Sequence, residues 1–555
     1  MHYNSKILHR RRRLMPDNNS EEVSINSEKR HYMIGPLHKL ALQNAGLSPL
    51  SQNDMDLFVK EFLENMGIKE VDRIHPSNKT LMAMEAGVND ATDTIVVEMD
   101  PKNLEFIKKT MPPQLIITED KPLGYNKIEQ DLIHLTPFSV IQDPKKRKFR
   151  FLVIGQDNKP LSKVSVCVVG EWAPAYGITD ENGKVEIESI MFNASTPRLL
   201  TLTAPHSYWD IFSSNPTIHE EIENTIKMSS LAETITGFPE QFHFGWGQRL
   251  MGLDKMPQDI DGAGVKIAII DSGCDNSHPL LQHVRIGRDF TSSPDGQNPD
   301  QNTWTKDTIG HGTHCTGIIT AQSSDGSMMH GFAPKAEIHS LRIFSEENNN
   351  RGFSYLKKAI EYCIEHEIDI ISMSLGAQSA PDPQVEQTLE TAMQNGIICI
   401  AAAGNSSKAV QYPASSSYTL AVSAVGSNKD LHSNTWDSTN IQEGLIADDG
   451  IFSPKFTCFG PEVDVCAPGV SIISTVPGGM FKPESGTSMA TPHVTGLAAL
   501  LLAHHPLFQS EFQARDRKRV ETLFGLIRSQ CKPYSFGNSL VGAGLPILGP
   551  VNSPS

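Results

Sequence analysis

No apolar run in this 555-residue sequence reaches the roughly 18 residues that a membrane-spanning helix needs. One of the longer runs, Gly496–Ala503, has the length of a buried helical segment. The basic cluster Arg10–Arg13 is not followed by the apolar stretch of about 7–15 residues that a secretory signal requires. Export by that route is unsupported, and a cytoplasmic location is favoured. Cysteine is sparse: there are eight, at 167, 274, 315, 363, 399, 458, 466 and 531, and none forms a CxxC pair. A zinc site or a redox dithiol is therefore not indicated. Positive charge is also short. Asp and Glu outnumber Lys and Arg by 64 to 48, giving a formal charge of −16 that repels a phosphate backbone. Neither a nucleic acid nor a membrane is expected as a partner.

What is present is an ordinary globular composition, 39% apolar, in a chain long enough for several domains. Residues 1–30 read as a disordered basic tail. Residues 31–125 read as a small α+β module: a helical stretch from about 36 to 70 has Leu57, Phe58, Phe62 and Leu63 on one face. A strand at Thr94–Met99, a helix over Lys102–Thr110 opened by Asp100-Pro101, and a strand at Gln114–Thr118 follow. Residues 146–210 read as a β-sandwich. Strands at Phe149–Ile154 and Val164–Val169 flank an Asp157-Asn158-Lys159-Pro160 turn, and Asn182-Gly183 closes a hairpin into Lys184–Ile187. The run Gly177–Gly183 resembles small transthyretin-like modules.

From about 240 to 548, apolar strands alternate with helices, the pattern of a doubly wound parallel sheet. Strands are expected at Val265–Ile270, Ile338–Leu341, Asp369–Met373, Ile397–Ala402 and Thr419–Ala424. Helices are expected near Gly312, Phe353, Gln384 and Ser488, and over Asp516–Arg528. Chemistry in such a sheet sits at the carboxyl ends of the strands. Asp271 stands there, as a helper of catalysis or as a turn cap. His311 lies in Gly310-His-Gly-Thr-His-Cys-Thr-Gly317, as a base or a packed histidine. Ser488 opens a helix in Gly486-Thr-Ser-Met-Ala-Thr-Pro-His493, as a nucleophile or an N-cap, with Pro492 expected inside the first turn. Asn405 ends a strand, as a hydrogen-bond donor or a turn residue. Together they make one chemistry. A serine hydroxyl needs a base, the base needs a carboxylate to fix its tautomer, and the helix start and Asn405 offer donors to developing negative charge.

The four motifs, Ile270-Asp-Ser-Gly273, His311-Gly-Thr-His314, Ala403-Gly-Asn405 and Gly486-Thr-Ser-Met-Ala490, occur in the order in which the subtilisin family of serine peptidases carries them. Residues 244–548 resemble that family. The resemblance implies an orienting Asp271, a general base and acid in His311, a nucleophile in Ser488, and an oxyanion hole from Asn405 and the Ser488 amide. It implies protein or peptide substrates that add as a strand to Ser374-Leu375-Gly376, with Ala403 and Gly404 walling the pocket for the residue before the scissile bond. Gln411 stands where the family's floor residue is small, implying a shallower or more polar pocket. Cys315 resembles the thiol of the proteinase K branch and predicts partial inactivation by mercurials. His278, His314 and His493 are expected to be structural. No metal site is assigned. Calcium is the one ion left open, at Asp325, since the family's usual aspartate position is Leu280.

The α+β module resembles the family's inhibitory propeptide, with cleavage near 120–145 or near 225–243; the competing reading makes residues 1–240 a permanent recognition arm for a protein partner or substrate leader. The same residues would equally serve a peptide ligase or macrocyclase, if the stretch 428–456, with Glu443, Asp448 and Asp449, covered the site. A catalytically silent binding protein is the third alternative. Oligomeric state is not legible in the sequence.

Overall fold

The computed structural model describes residues 29–77, 92–125, 145–170, 173–191, 196–291, 303–346 and 352–549. Nearly all of the basic tail lies outside them.

The first strands, β1 (Arg30–Pro36), β2 (Lys69–Ile74), β3 (Thr94–Met99) and β4 (Leu115–Glu119), form an antiparallel sheet in the order β2-β3-β1-β4. Helical segments cover one face and bury Tyr32, Ile34, Met55, Phe58, Leu63 and Ile107 beneath them. The strands β1 and β2 are not expected from the sequence, and two details of the helices differ as well. The helix expected over Lys102–Thr110 begins as a 3-10 turn at Pro101–Asn103, with Asp100 capping it, and becomes α-helical at Leu104. Leu57 is exposed, because the α-helix Gln52–Phe58 buries the face that carries Met55 and Phe58, and a π-turn follows at Val59–Leu63. A two-residue strand, β5 (Gly124–Tyr125), follows.

Next come β6 (Lys145–Ile154), β7 (Ser165–Val169), β8 (Pro174–Ile178), β9 (Lys184–Met191), β10 (Leu199–Thr203), β11 (Ile211–Ser214) and β12 (Glu223–Lys227). They make two sheets, β11-β10-β7-β8 and β12-β6-β9, which enclose Phe149, Phe151, Val166, Val168, Leu200 and Leu202. Alternation of buried and exposed residues along β9 shows one face turned to this core.

The large sheet is built from β13 (Lys266–Asp271), β14 (Ile286–Asp289), β15 (Glu337–Arg342), β16 (Ile370–Met373), β18 (Ile398–Ala402), β19 (Leu420–Ser427) and β20 (Ile451–Phe452), where β17 is the short Leu375–Gly376 off its edge. Its order is β14-β15-β13-β16-β18-β19-β20, with β21 (Val463–Pro468) also on β19. All pairings are parallel except that of β20. The strands are apolar throughout because helices cover both faces. Phe353–Glu365 and Pro383–Gln394 bury residues on one side, and Thr487–His504, buried from Thr487 to Leu502, lies on the other. The hairpin β22 (Ile472–Val476) and β23 (Met480–Glu484) leads into that last helix. No helix among the described residues is long and apolar enough to cross a membrane.

Candidate active site

Asp271 is the last residue of β13, a central strand held between β15 and β16, and its side chain is 1% exposed. The helix His311–Thr320 starts beside it. Gly310 takes a left-handed φ of 85° to turn the chain in. Gly312 is required by close approach, since a methyl group there would meet the Gly273 carbonyl at 2.1 Å. His311 Nδ1 lies 2.8 and 2.9 Å from the two carboxylate oxygens of Asp271, which orients the ring and leaves Nε2 facing the other way. Burial pushes the imidazole pKa down. The charge and hydrogen bond of Asp271, with further pulls from Glu484 and Asp307, outweigh it and leave the pKa raised.

Ser488 is the second residue of the helix Thr487–His504, so its amide falls in the first turn, where N–H groups lack intrahelical acceptors. The expected hydrogen bond from Ser488 to His311 is not formed in this structure. The Ser488 hydroxyl instead donates to the Ser374 carbonyl at 3.3 Å, and among the described residues His311 Nε2 has no partner. Pro492 also departs from expectation. It is the sixth residue of the helix, not part of the first turn, so its missing N–H leaves the Ser488 carbonyl without its i+4 donor. The Ser374 hydroxyl (2.9 Å) and the Cys315 thiol (3.5 Å) donate to that carbonyl instead.

Asn405 follows β18. Its Oδ1 accepts from the amide and the hydroxyl of Thr487, both at 2.9 Å, which fixes its carboxamide against the residue preceding Ser488. Gly404 donates its amide to Thr487 Oγ1 at 3.1 Å. Three strand ends thus converge on one helix start: Asp271 from β13, Ser374 after β16, and Ala403, Gly404 and Asn405 after β18. Leu375 and Gly376 form β17, and Gln411 lies against Gly404.

The edge strand β17 is occupied. β5 pairs with it antiparallel, Leu375 opposite Tyr125 and Gly376 opposite Gly124. The Tyr125 ring sits 5.3 Å from the His311 ring and 5.9 Å from that of Phe344, and Leu123 is buried nearby. The preceding sheet rests on the two helices of the same face. Gln384 Nε2 donates to the Met33 carbonyl (3.0 Å) and to Thr118 Oγ1 (3.1 Å), His38 lies 2.9 Å from Glu390, and Lys358 pairs with Asp72.

Several supporting residues escaped the sequence reading. Asp307 accepts from the Gly310 amide (2.8 Å) and from the amide and hydroxyl of Thr313 (2.9 and 2.6 Å), so it caps the His311 helix. An aspartate ahead of a helix start was the available signal. Ser272 Oγ accepts from the Gly312 amide at 2.8 Å. Glu484, at the end of β23, acts on the His311 charge through space and had no local signature.

His278, His314 and His493 are buried and bonded to backbone: His278 to the Met480 carbonyl, His314 to those of Ile472 and Lys482, His493 to that of Met489. Asp325 is exposed, and its carboxylate closes a turn with Ser323 and Ser327. Leu280 is buried in an apolar cluster. One group of three potential metal ligands occurs among the described residues, Asp271, His311 and Cys315, within 4.8 Å of one another. In the stretch 428–456, Asp449 pairs with Lys532 at 2.5 Å and accepts from Tyr534, while Leu431, Trp436 and Leu445 pack on the domain core.

A buried carboxylate–imidazole pair and a serine at a helix start thus stand at the strand ends of a parallel-sheet α/β domain. The model of the subtilase family matches residues 262–520. The major intracellular serine protease of Bacillus subtilis (strain 168) is 32% identical over 320 residues, covering 54% of this chain and 90% of that one. Subtilisin amylosacchariticus, from Bacillus subtilis subsp. amylosacchariticus, is 38% identical over 265 residues, covering 47% of this chain. The match spans 61% of that relative's length. Among solved structures, the protease domain of PatA aligns with 24% identity and a TM-score of 0.40, covering 52% of this chain and 94% of that one. The chain belongs to the subtilase family.

Proposed function

We propose that this chain is a serine endopeptidase. Ser488 attacks the scissile carbonyl, His311 takes the hydroxyl proton and returns it to the leaving amine, and Asp271 holds the imidazole in the required tautomer. Asn405 and the Ser488 amide stabilise the oxyanion. The observation that carries the reading is the buried, doubly hydrogen-bonded Asp271–His311 pair. The reaction asks for rotation of the Ser488 side chain from the Ser374 carbonyl toward the unpartnered His311 Nε2. Peptide substrates would add as a strand to Ser374, Leu375 and Gly376, as β5 does, with the residue before the scissile bond against Ala403, Gly404 and Gln411.

Residues 31–125, 146–210 and 240–548 are taken as separate units, the first an inhibitor held over the site. Pairing of β5 with β17 supports this, because that strand takes the place a substrate needs. It also favours self-cleavage just beyond Tyr125 over a cut near 225–243. There β12 is paired with β6, and Leu231, Phe238 and Phe242 are packed into an apolar cluster with Leu280 and Phe481, which ties the segment down. Mass spectrometry of the incubated full chain tests both parts. Products starting shortly after residue 125, absent from Ser488→Ala, are expected. Loss of fluorophosphonate labelling in Ser488→Ala should accompany them, and an intact, unlabelled wild-type chain would refute the reading.

A further inference from the structure

Gln411 fills space beside the nucleophile that a small residue would leave open. Its backbone amide donates to the Ala403 carbonyl at 2.9 Å, fixing it to the strand end that carries Gly404 and Asn405. Its side chain lies across Gly404. A methyl group there would meet Gln411 Cδ at 2.6 Å and Cγ at 2.7 Å. Gly404 is tied in turn to Thr487, the neighbour of Ser488. The Oε1 atom of Gln411 is buried, and among the described residues it has no hydrogen-bond partner. A buried amide oxygen without a protein donor is unfavourable, so a ligand that supplies a donor there is favoured over one that does not.

The β5–β17 register says which substrate residue meets it. Tyr125 stands opposite Leu375, so a strand continued by one residue meets Ser374, whose carbonyl accepts from the Ser488 hydroxyl. Side chains alternate along a strand. The Tyr125 ring lies against His311, so in a substrate strand bound in the same register the residue that follows would turn the opposite way, toward Gly404 and Gln411. In the sequence the residue after Tyr125 is Asn126.

We infer that Gln411 makes this pocket selective for a primary carboxamide, so that the enzyme cleaves after asparagine or glutamine, with Asn126 as its own internal substrate. The inference rests on the peptidase reading above. A carboxamide supplies the donor that Gln411 Oε1 lacks, together with an acceptor for the other end of the Gln411 amide. An aliphatic side chain would leave that oxygen unpaired. A cation would bring a charge into a pocket where Ala403, Gly404 and Gln411 carry none to neutralise it. Hydrogen-bonding sites reject analogues that lack the bonding group more strongly than apolar sites distinguish shapes.

The test uses the full chain after self-processing. It is given matched fluorogenic peptides with Asn, Gln, Leu, Phe or Lys before the scissile bond, and Ser488 is titrated with a fluorophosphonate. Asn and Gln peptides are expected to be cleaved with kcat/KM about tenfold or more above Leu. That ratio should collapse in Gln411→Met, an apolar side chain of similar length, and in Gln411→Gly. Gln411→Glu should turn the preference toward Lys, and Asn126→Leu should slow self-cleavage. A labelled enzyme that prefers Leu or Phe, or a preference unchanged in Gln411→Met, overturns the inference and leaves the peptidase reading standing. Absence of labelling and of any cleavage overturns both.

Discussion

The carboxylate of Asp120 accepts two hydrogen bonds from Ser354, one from its amide at 2.9 Å and one from its hydroxyl at 2.6 Å. Ser354 opens the helix Phe353–Glu365, whose own N-cap is Gly352, a residue with no side chain to cap with. The cap therefore comes from a residue 234 positions earlier. The glycine is needed for it, since a methyl group at Gly352 would overlap Asp120 Oδ1 at 2.0 Å. Asp120→Ala should remove about 1 kcal/mol of the attachment between the N-terminal sheet and this helix. Hydrogen exchange in the Ser488→Ala background should show faster exchange at the Ser354 amide, with Asp120→Asn losing less.

A second prediction concerns pH. The His311 pKa is raised above the ordinary histidine value by Asp271, with Glu484 adding to the pull against burial. A general base must be neutral, so activity should fall as pH drops through that raised pKa, above the ordinary value of about 6.5. Glu484→Gln removes a negative charge that favours the protonated ring. It should move the acid limb of the kcat/KM profile to lower pH. An unmoved limb would mean that Glu484 does not act on His311.

Ser374→Ala tests the repair of the proline gap. The variant leaves the Ser488 carbonyl with only the weak Cys315 donor. A loss of about 1–2 kcal/mol in stability is expected from a buried acceptor that loses its main partner. Urea melts of Ser374→Ala in a Ser488→Ala background, with an unchanged m-value, should report it.

Cys315 is completely buried beside the candidate active site, and burial raises its thiol pKa well above the usual range. The thiolate is the reactive form, so mercurials should inactivate slowly and at a rate that follows local opening. Cys315→Val should abolish the effect. Fast, stoichiometric modification under native conditions would contradict the burial.

Much of the site was legible because its signals are local. Asp271 after an apolar strand, His311 between glycines, Asn405 at a strand end and Ser488 at a helix start each sit in short runs whose chemistry can be read in order. The large sheet was legible too, since apolar strands separated by amphipathic helices specify a covered parallel sheet. Pro492 was misplaced by reading a proline near a helix start as belonging to its first turn. Whether the N–H is missed depends on where the helix begins, and the turn at Gly486 sets that. The strands β1 and β2 were missed because helical spacing dominates their neighbourhood, and their pairing partner β3 lies far along the chain.

The sequence by itself determined the chemical kinds brought to the centre, a carboxylate, an imidazole, a hydroxyl and a carboxamide, and the strand and helix ends that carry them, because those follow from neighbouring residues. Only the tertiary structure decided what depends on distant partners. It placed Tyr125 and Leu375 side by side, supplied Ser354 with a cap from Asp120, gave the Ser488 carbonyl its donors from Ser374 and Cys315, and left the Gln411 oxygen buried without one. Contacts of that kind arise from packing between elements, and no local pattern encodes them.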